Sequence, residues 1–350
     1  EKAVKELGAA GEQWRAPFNQ AKANIKNPSG RSRELLGLFA KVCQARRAKR
    51  LKTLVATYPK IMFIKRQPVR PTFYAYTEGQ SDGQNEKHYH PGSALCVLDI
   101  SSGSPVVTTL IDSPDGVIRD LDISYDADKA LFAWKKGKDI KDDDYHLYEM
   151  VLGTKKIRQI TSGKGVADYE GRYLPSGDIV FSSSRCVQIV DCWKVETSNM
   201  YTCDKDGKYL RRLGFDQVHT TYPTVMNDGR ILYTRWDYND RGQMYPQPLF
   251  QMNHDGTSQT EFYGNNSWFP TTIHHARQIP GSNKVLAVLH GHHTWQAGKL
   301  AIIDRSKGTQ EASGVQLIAP VRETKPVRMD AYGQDEELFR HPYPLNENEY

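Results

Sequence analysis

Five of the eleven histidines in this 350-residue chain lie in one stretch, WFPTTIHHARQIPGSNKVLAVLHGHHTW, from Trp268 to Trp295. They are His274, His275, His290, His292 and His293. Imidazole is the commonest side-chain ligand for zinc, copper and iron. The last three form an H-x-H-H cluster at the end of an apolar run, KVLAVL. In an extended strand His290 and His292 point to one side and His293 to the other. Such a pair can chelate one divalent ion, zinc being the first candidate. An ion so held acts as a Lewis acid or activates water. His219, Asp237, Glu170 and Cys186 are the donors expected to approach from elsewhere in the chain. The competing reading is a set of histidines hydrogen-bonded in a polar channel without metal.

Such a site requires an architecture that brings distant residues to one place. After Pro59 the chain reads as short β runs separated by turn signals. A repeat of about 50 residues emerges, the period of propeller blades. One strand–turn–strand anchor, DISYDADKALFAWKK at 122–136, recurs at 172–186, 223–237 and 276–293. Each copy is followed by a third strand running into a turn (YHLYEM, NMYTCDKDG, LFQMNHDG, KLAIIDRSKG) and then by a fourth. Four strands per radially repeated unit make a β-propeller, an all-β fold, here over 58–350. The first unit begins at its second strand, KIMFIKR, and the tail HPYPLNENEY aligns with an innermost strand.

Strands alternate in direction within a blade, so the loops entering innermost strands share a face with those leaving second strands. That face is expected to gather Arg119, Asp120, Asp168, Tyr169, Glu170, His219, Tyr222, Trp268 and Phe269 from the first set. The second set supplies Trp134, Lys135, Arg185, Cys186, Arg235, Trp236, Asp237 and the H-x-H-H cluster. A long loop before the second unit adds His88 and His90, and the YNDRGQMYPQPLF loop adds Asp240 and Arg241. The roles assigned are catalysis for Asp237, Arg235 and Tyr222, and metal binding for His290, His292, His293, His219 and Cys186. Substrate binding falls to Arg119, Asp168, Glu170 and Trp268. Of His274 and His275, inside an innermost strand, alternation puts one toward the axis and one into the blade.

Residues 1–57 read as helical, with Leu35, Leu36, Phe39, Val42 and Cys43 on one face and Ser32 as the cap. The net charge of +6 owes much to Arg46, Arg47, Lys49, Arg50 and Lys52. That run lacks interleaved aromatics and reads as a solvated helix face, not a nucleic-acid surface. No run of about 18 apolar residues offers a membrane span. Among five cysteines there is no CxxC. Cys186 and Cys192 are spaced for a disulfide in an exported protein, the alternatives being a buried thiol or one thiolate ligand.

Several phrases carry a resemblance: EGQSDGQNEKHYHPGSALCVLDI, DDDYHLYEM, ADYEGRYLPSGDIVFSSSRCVQIVDCW, FDQVHTTYPTV, TRWDYNDRGQMYPQPLFQMN, FYGNNSWFPTTIHHAR and GHHTWQAGKLAIID. Over roughly 58–350 the chain resembles the TolB-like propellers related to the middle domain of the hydrazine synthase alpha subunit. The resemblance implies export to the periplasm or beyond, and six blades where about five are visible here. It implies a zinc, and further domains or subunits as partners. It does not carry over haem, because CxxCH is absent. Three functions follow as expectations: a metal-dependent, redox-type enzyme; a polysaccharide lyase or hydrolase, with arginines for carboxylated sugars and Trp268, Phe269 and Trp236 for ring stacking; or a non-catalytic scaffold.

Overall fold

The computed structural model describes residues 2–23, 33–67, 90–102, 104–137, 144–190, 196–238, 245–292, 294, 297–319, 321–322 and 338–350. Ser32, His88, Cys192, Asp240, Arg241 and His293, named above, lie outside the described residues. The chain divides into two compact units, one of residues 1–63 with 96–110 and the other of the remainder.

The first unit carries helices α1 (Lys2–Leu7), α2 (Arg15–Ala23) and α3 (Arg33–Thr57), with a 3-10 turn at Gly8–Trp14. Val42 of α3 packs on Val4 and Leu7 of α1. The expected apolar face is only partly used, since Leu36 and Phe39 are 54% and 64% exposed. The basic run of α3 turns toward Glu6: Arg50 bonds its carboxylate at 2.6 Å and Lys49 its carbonyl at 2.8 Å. Helix α3 stops two residues before Pro59, whose ring disfavours helix in the residue before it.

Strands β1 (Lys60–Arg66), β2 (Ser93–Asp99) and β3 (Val106–Ser113) form a three-stranded sheet whose residues are divided between the units. Among the described residues this first blade has no innermost strand, as the sequence indicated. Four further blades follow within the second unit. Blade 2 is β4 (Val117–Ile123), β5 (Lys129–Lys135), β6 (His146–Val151) and β7 (Ile157–Gln159). Blade 3 is β8 (Asp168–Tyr173), β9 (Ile179–Ser183), β10 (Asn199–Cys203) and β11 (Arg211–Arg212). Blade 4 is β12 (His219–Val225), β13 (Ile231–Trp236), β14 (Leu249–Met252) and β15 (Thr260–Tyr263). Blade 5 is β16 (Thr272–Gln278), β17 (Val285–His290), β18 (Lys299–Ile303), β19 (Val315–Ile318) and a short β20 (Val321–Arg322). Each is an antiparallel meander, and the innermost strands β4, β8, β12 and β16 pack successively side by side.

The second strands explain the apolar runs. VLAVLH is buried at every position because both faces of the sheet are covered, Val285, Ala287 and Leu289 packing with blade 4 and Leu286 in a cluster that Phe339 of the tail joins, so alternation disappears. Apolar side chains of adjacent blades merge into shared clusters, such as Leu131 and Leu147 with Tyr169, Phe181 and Tyr201. Each fully buried side chain of this size contributes on the order of 1.5–3 kcal/mol.

The innermost strands share one irregularity. Their pairing skips between Arg119 and Asp122, Tyr169 and Arg172, Thr221 and Thr224, and His274 and Arg277. Each skip is a β-bulge, one extra residue against the partner strand. In every case a non-glycine residue there is left-handed: Asp120 (φ 59), Glu170 (φ 59), Tyr222 (φ 55) and His275 (φ 52). The tail repeats it at His341 (φ 48), and His341-Pro342 echoes Tyr222-Pro223. Backbone of this kind costs on the order of 1–3 kcal/mol per residue. The displaced N–H groups find new acceptors. Glu170 N–H donates to Asp120 Oδ2 at 3.0 Å, and Tyr222 N–H to Glu170 Oε2 at 2.7 Å. The tail itself is held by an antiparallel bridge between Phe339 and Gly298.

Candidate functional site

The bulges place one side chain per blade toward the propeller axis: Asp120, Glu170, Tyr222 and His275, continued by His341. On the acidic side, Arg119 lies between two carboxylates, 2.5 Å from Asp120 Oδ2 and 3.4 Å from Glu170 Oε1. Its guanidinium covers the Tyr169 ring at 4.7 Å. Ser182 Oγ donates to Glu170 Oε2 at 2.7 Å. Burial, and then the charge of Asp120, push the Glu170 carboxyl up to about 7 against the opposing pull of Arg119 and the hydrogen bonds. On the other side the Tyr222 ring lies 4.5 Å from that of His275, which lies 4.0 Å from that of His341. Burial, and then the neighbouring His341, hold His275 well below the ordinary imidazole range. The axis therefore brings together a carboxyl near neutrality, a phenol and a neutral imidazole.

The histidine-rich end lies where innermost strands begin and second strands finish. Register puts His219 opposite Trp236, and Thr272 opposite His290. Here the imidazoles form a chain, not a cage. His290 Nδ1 is 2.7 Å from the Gly291 carbonyl, which can only accept, so this nitrogen carries the proton. Neutral His290 then accepts at Nε2 from His274 Nδ1–H, 3.0 Å away. His274 Nε2 is thereby left as an acceptor, facing the Gln247 amide at 3.0 Å, whose other end reaches His292 Nδ1 at 3.2 Å. Gln247 Oε1 is the atom nearest His274 and its Nε2 the atom nearest His292, so the chain becomes consistent when the amide is turned over: its NH2 then donates to His274 and its carbonyl accepts from His292 Nδ1–H. All four side chains are buried. Burial lowers His290 to about 4 and, with the charge of His290 next, takes His274 well below its usual range.

This geometry tests the expected metal set. His290 has the tautomer that suits ligation, with Nδ1–H on a backbone carbonyl. His219 does not: its Nδ1 accepts the Ser198 N–H at 3.1 Å, so its own proton sits on Nε2. Burial lowers His219 to about 3. The Trp236 ring stands between His219 (5.7 Å) and His292 (4.9 Å). Strand β17 ends at His290, so the alternation expected of His290 and His292 does not extend across Gly291. Cys186 is a free thiol, 3.4 Å from the Thr197 carbonyl. Among the described residues no three His, Cys, Asp or Glu side chains are grouped to hold one ion. His293 lies outside the described residues.

The other expected residues share this end but are largely spent on one another. Arg235 pairs with Asp237 and Asp216, each at 2.8 Å. Asp168 is wholly buried and takes Ser183 Oγ at 2.6 Å and Arg185 at 2.7 Å. His146 Nδ1 lies 3.2 Å from Asp168 Oδ2, a carboxylate–imidazole pair that sequence reasoning passed over although His146 stands in DDDYHLYEM. These partners hold the Asp168 carboxyl below its usual range despite its burial. Of the three aromatics expected to stack on sugar rings, Trp236 and Phe269 are wholly buried, and Trp268 is 47% exposed. His274 is wholly buried between His290 and Gln247 while His275 lies against His341, and the Tyr222 ring is 4.4 and 4.5 Å from theirs.

No family model and no curated protein matches this chain. Among solved structures, Kuenenia stuttgartiensis hydrazine synthase aligns with a TM-score of 0.62 at 18% identity, over 82% of this chain and 41% of that one. TolB from Acinetobacter baumannii aligns at 0.48 and 18% identity, over 77% of this chain and 57% of that one. An oligogalacturonate lyase in complex with manganese aligns at 0.45 and 12% identity, over 67% and 66%. The fold is the β-propeller that the sequence indicated, shared with the matched part of hydrazine synthase, and the chain spans less than half of that chain.

Proposed function

We propose that this chain is the propeller part of a larger exported protein, and that its axial site transfers protons on a small polar substrate. The observation that carries the reading is the buried trio of Asp120, Arg119 and Glu170, with Arg119 3.4 Å from Glu170 and the Glu170 carboxyl raised by burial and by the charge of Asp120. A general acid–base group works best when its pKa lies near the working pH. Glu170 exchanges the proton, and Arg119 balances the charge that the carboxylate gains. Neutral His275 is available as the second proton carrier on the far side of Tyr222. The reading is tested by difference infrared spectroscopy across about pH 5–9. A protonated carboxyl band should vanish near pH 7 in the wild type and be missing from Glu170→Gln. A wild-type spectrum with no such titration would refute the assignment.

A bound divalent ion, zinc by donor chemistry, belongs to the same proposal. His290 is the residue best prepared to hold it, and such an ion would supply Lewis acidity. It would have to displace the His290–His274 hydrogen bond. Elemental analysis of the purified protein and of His292→Ala tests it; equal metal content in both would remove the H-x-H-H cluster from the site. Export and partner domains are supported by the sequence resemblance and by the chain's 41% share of the hydrazine synthase length. Fractionation of the native host checks the first.

A further inference from the structure

A second ring lies one step further along the axis, toward the turns that join innermost to second strands. Its members follow the bulges at equivalent register: Asp122 opposite Leu131, Arg172 opposite Val180, Thr224 opposite Leu232 and Arg277 opposite Leu286. Tyr343 holds the matching place, two residues after His341. The charges do not balance. Arg172 donates only to backbone, to the Gly171 carbonyl at 2.9 Å and the Asp120 carbonyl at 3.4 Å. Its Nε is buried without a hydrogen-bond partner. Arg277 lies over the Tyr343 ring at 4.8 Å. Neither guanidinium forms a salt bridge among the described residues. Asp122, the carboxylate of the ring, already accepts the Tyr173 N–H at 3.0 Å.

Arg172 belongs to blade 3 and Arg277 to blade 5. Burial, and then the charge of Arg172, lower the Arg277 guanidinium to about 10, with Asp122 and Tyr343 pulling the other way. By contrast, Arg119, Arg185 and Arg235, three of the four basic residues (with Lys135) that the sequence offered to acidic ligands, each pair with an aspartate.

We infer that Arg172 and Arg277, with the exposed Tyr343 beside them, form a binding site for an oxyanion, a carboxylate or a phosphoryl group. Both guanidiniums stand at equivalent register on innermost strands and neither makes a salt bridge among the described residues, so a ligand that accepts from both completes them. The site is independent of the proton-transfer reading, since Glu170 takes no part in it.

The test is calorimetric titration of the full chain at low ionic strength with inorganic phosphate and, separately, acetate, with sodium chloride as control. Saturable binding of either oxyanion is expected, and the anion that binds identifies the group. Arg172→Gln and Arg277→Gln should each weaken it at least about tenfold. Without anion, Arg277→Gln should melt at a higher temperature than the wild type, because a buried like-charge neighbour has been removed. That measurement guards against loss of binding through misfolding. The inference fails if neither anion binds beyond the chloride control, or if both variants bind as the wild type does. It fails equally if Arg277→Gln melts lower in anion-free buffer.

Discussion

His219, His274, His275 and His290 are all driven toward the neutral form, chiefly by burial. Their folded pKa values lie below the unfolded value of about 6.5, so the unfolded chain binds more protons in the window between. Stability is then full above about pH 6.5 and is lost as pH falls toward the folded values, about 4 for His290 and about 3 for His219. Each histidine contributes a slope of about 1.4 kcal/mol per pH unit inside that window. Glu170 acts the other way: its raised pKa favours the folded state below about 4.3 and loses that advantage as pH climbs through about 7. Four imidazoles outweigh one carboxyl, so melting temperature should fall steeply from pH 6.5 to 4. Replacing His219 with Phe should make that fall shallower by one proton's worth; an unchanged slope would show that His219 is not held neutral. The sequence displayed the residue types at the histidine-rich end. It could not display their tautomers, which depend on a backbone N–H at Ser198 and a carbonyl at Gly291.

The bulged innermost strand is the element that sets the axial chemistry, and it was the hardest to read from sequence. Strand order and turn positions were legible from the recurring anchors, because glycines such as Gly177 and Gly229 mark left-handed turn positions (φ 89 and 81). The bulges were not, because the left-handed residues are Asp, Glu, Tyr and His, and strict alternation was assumed through them. That assumption left Arg172 and Arg277 unremarked. The backbone strain can be isolated experimentally. His275→Gly and His275→Val both lose the ring, but only valine suffers at φ 52. The valine variant should be less stable by about 1 kcal/mol after allowance for the extra unfolded-state freedom of glycine. Urea denaturation of the two proteins measures it, and equal stabilities would mean the backbone relaxes there.

At the scale of the whole molecule, polar ties join neighbouring blades where apolar packing thins out. Arg158 of blade 2 bonds Glu149 at 2.8 Å and reaches Asp206 at 2.9 Å in the β10–β11 turn of blade 3. Tyr173 of blade 3 donates back to Glu149 at 3.0 Å. Arg158→Ala would leave the buried Glu149 carboxylate with the Tyr173 hydroxyl, and should cost on the order of 1–2 kcal/mol in chemical denaturation. Leaving Arg158 in place and changing Tyr173→Phe should cost less, since the ion pair survives. The resemblance covered the part of the chain that forms these blades, and the β-propeller it implied is observed, with five blades among the described residues where it implied six. What it could not convey is which polar residues serve the wheel and which face its hub.

The extra residue of a bulge makes no ladder bond, so its side chain answers to the hub and not to the sheet. Positions 222 and 275 are therefore places where the chemistry can be rewritten while the scaffold's pairing stays intact, whereas Asp120 and Glu170 also accept the N–H of the next bulge. A protein engineer wishing to install a new centre in this wheel would begin with those two, and would treat the strands on either side as fixed.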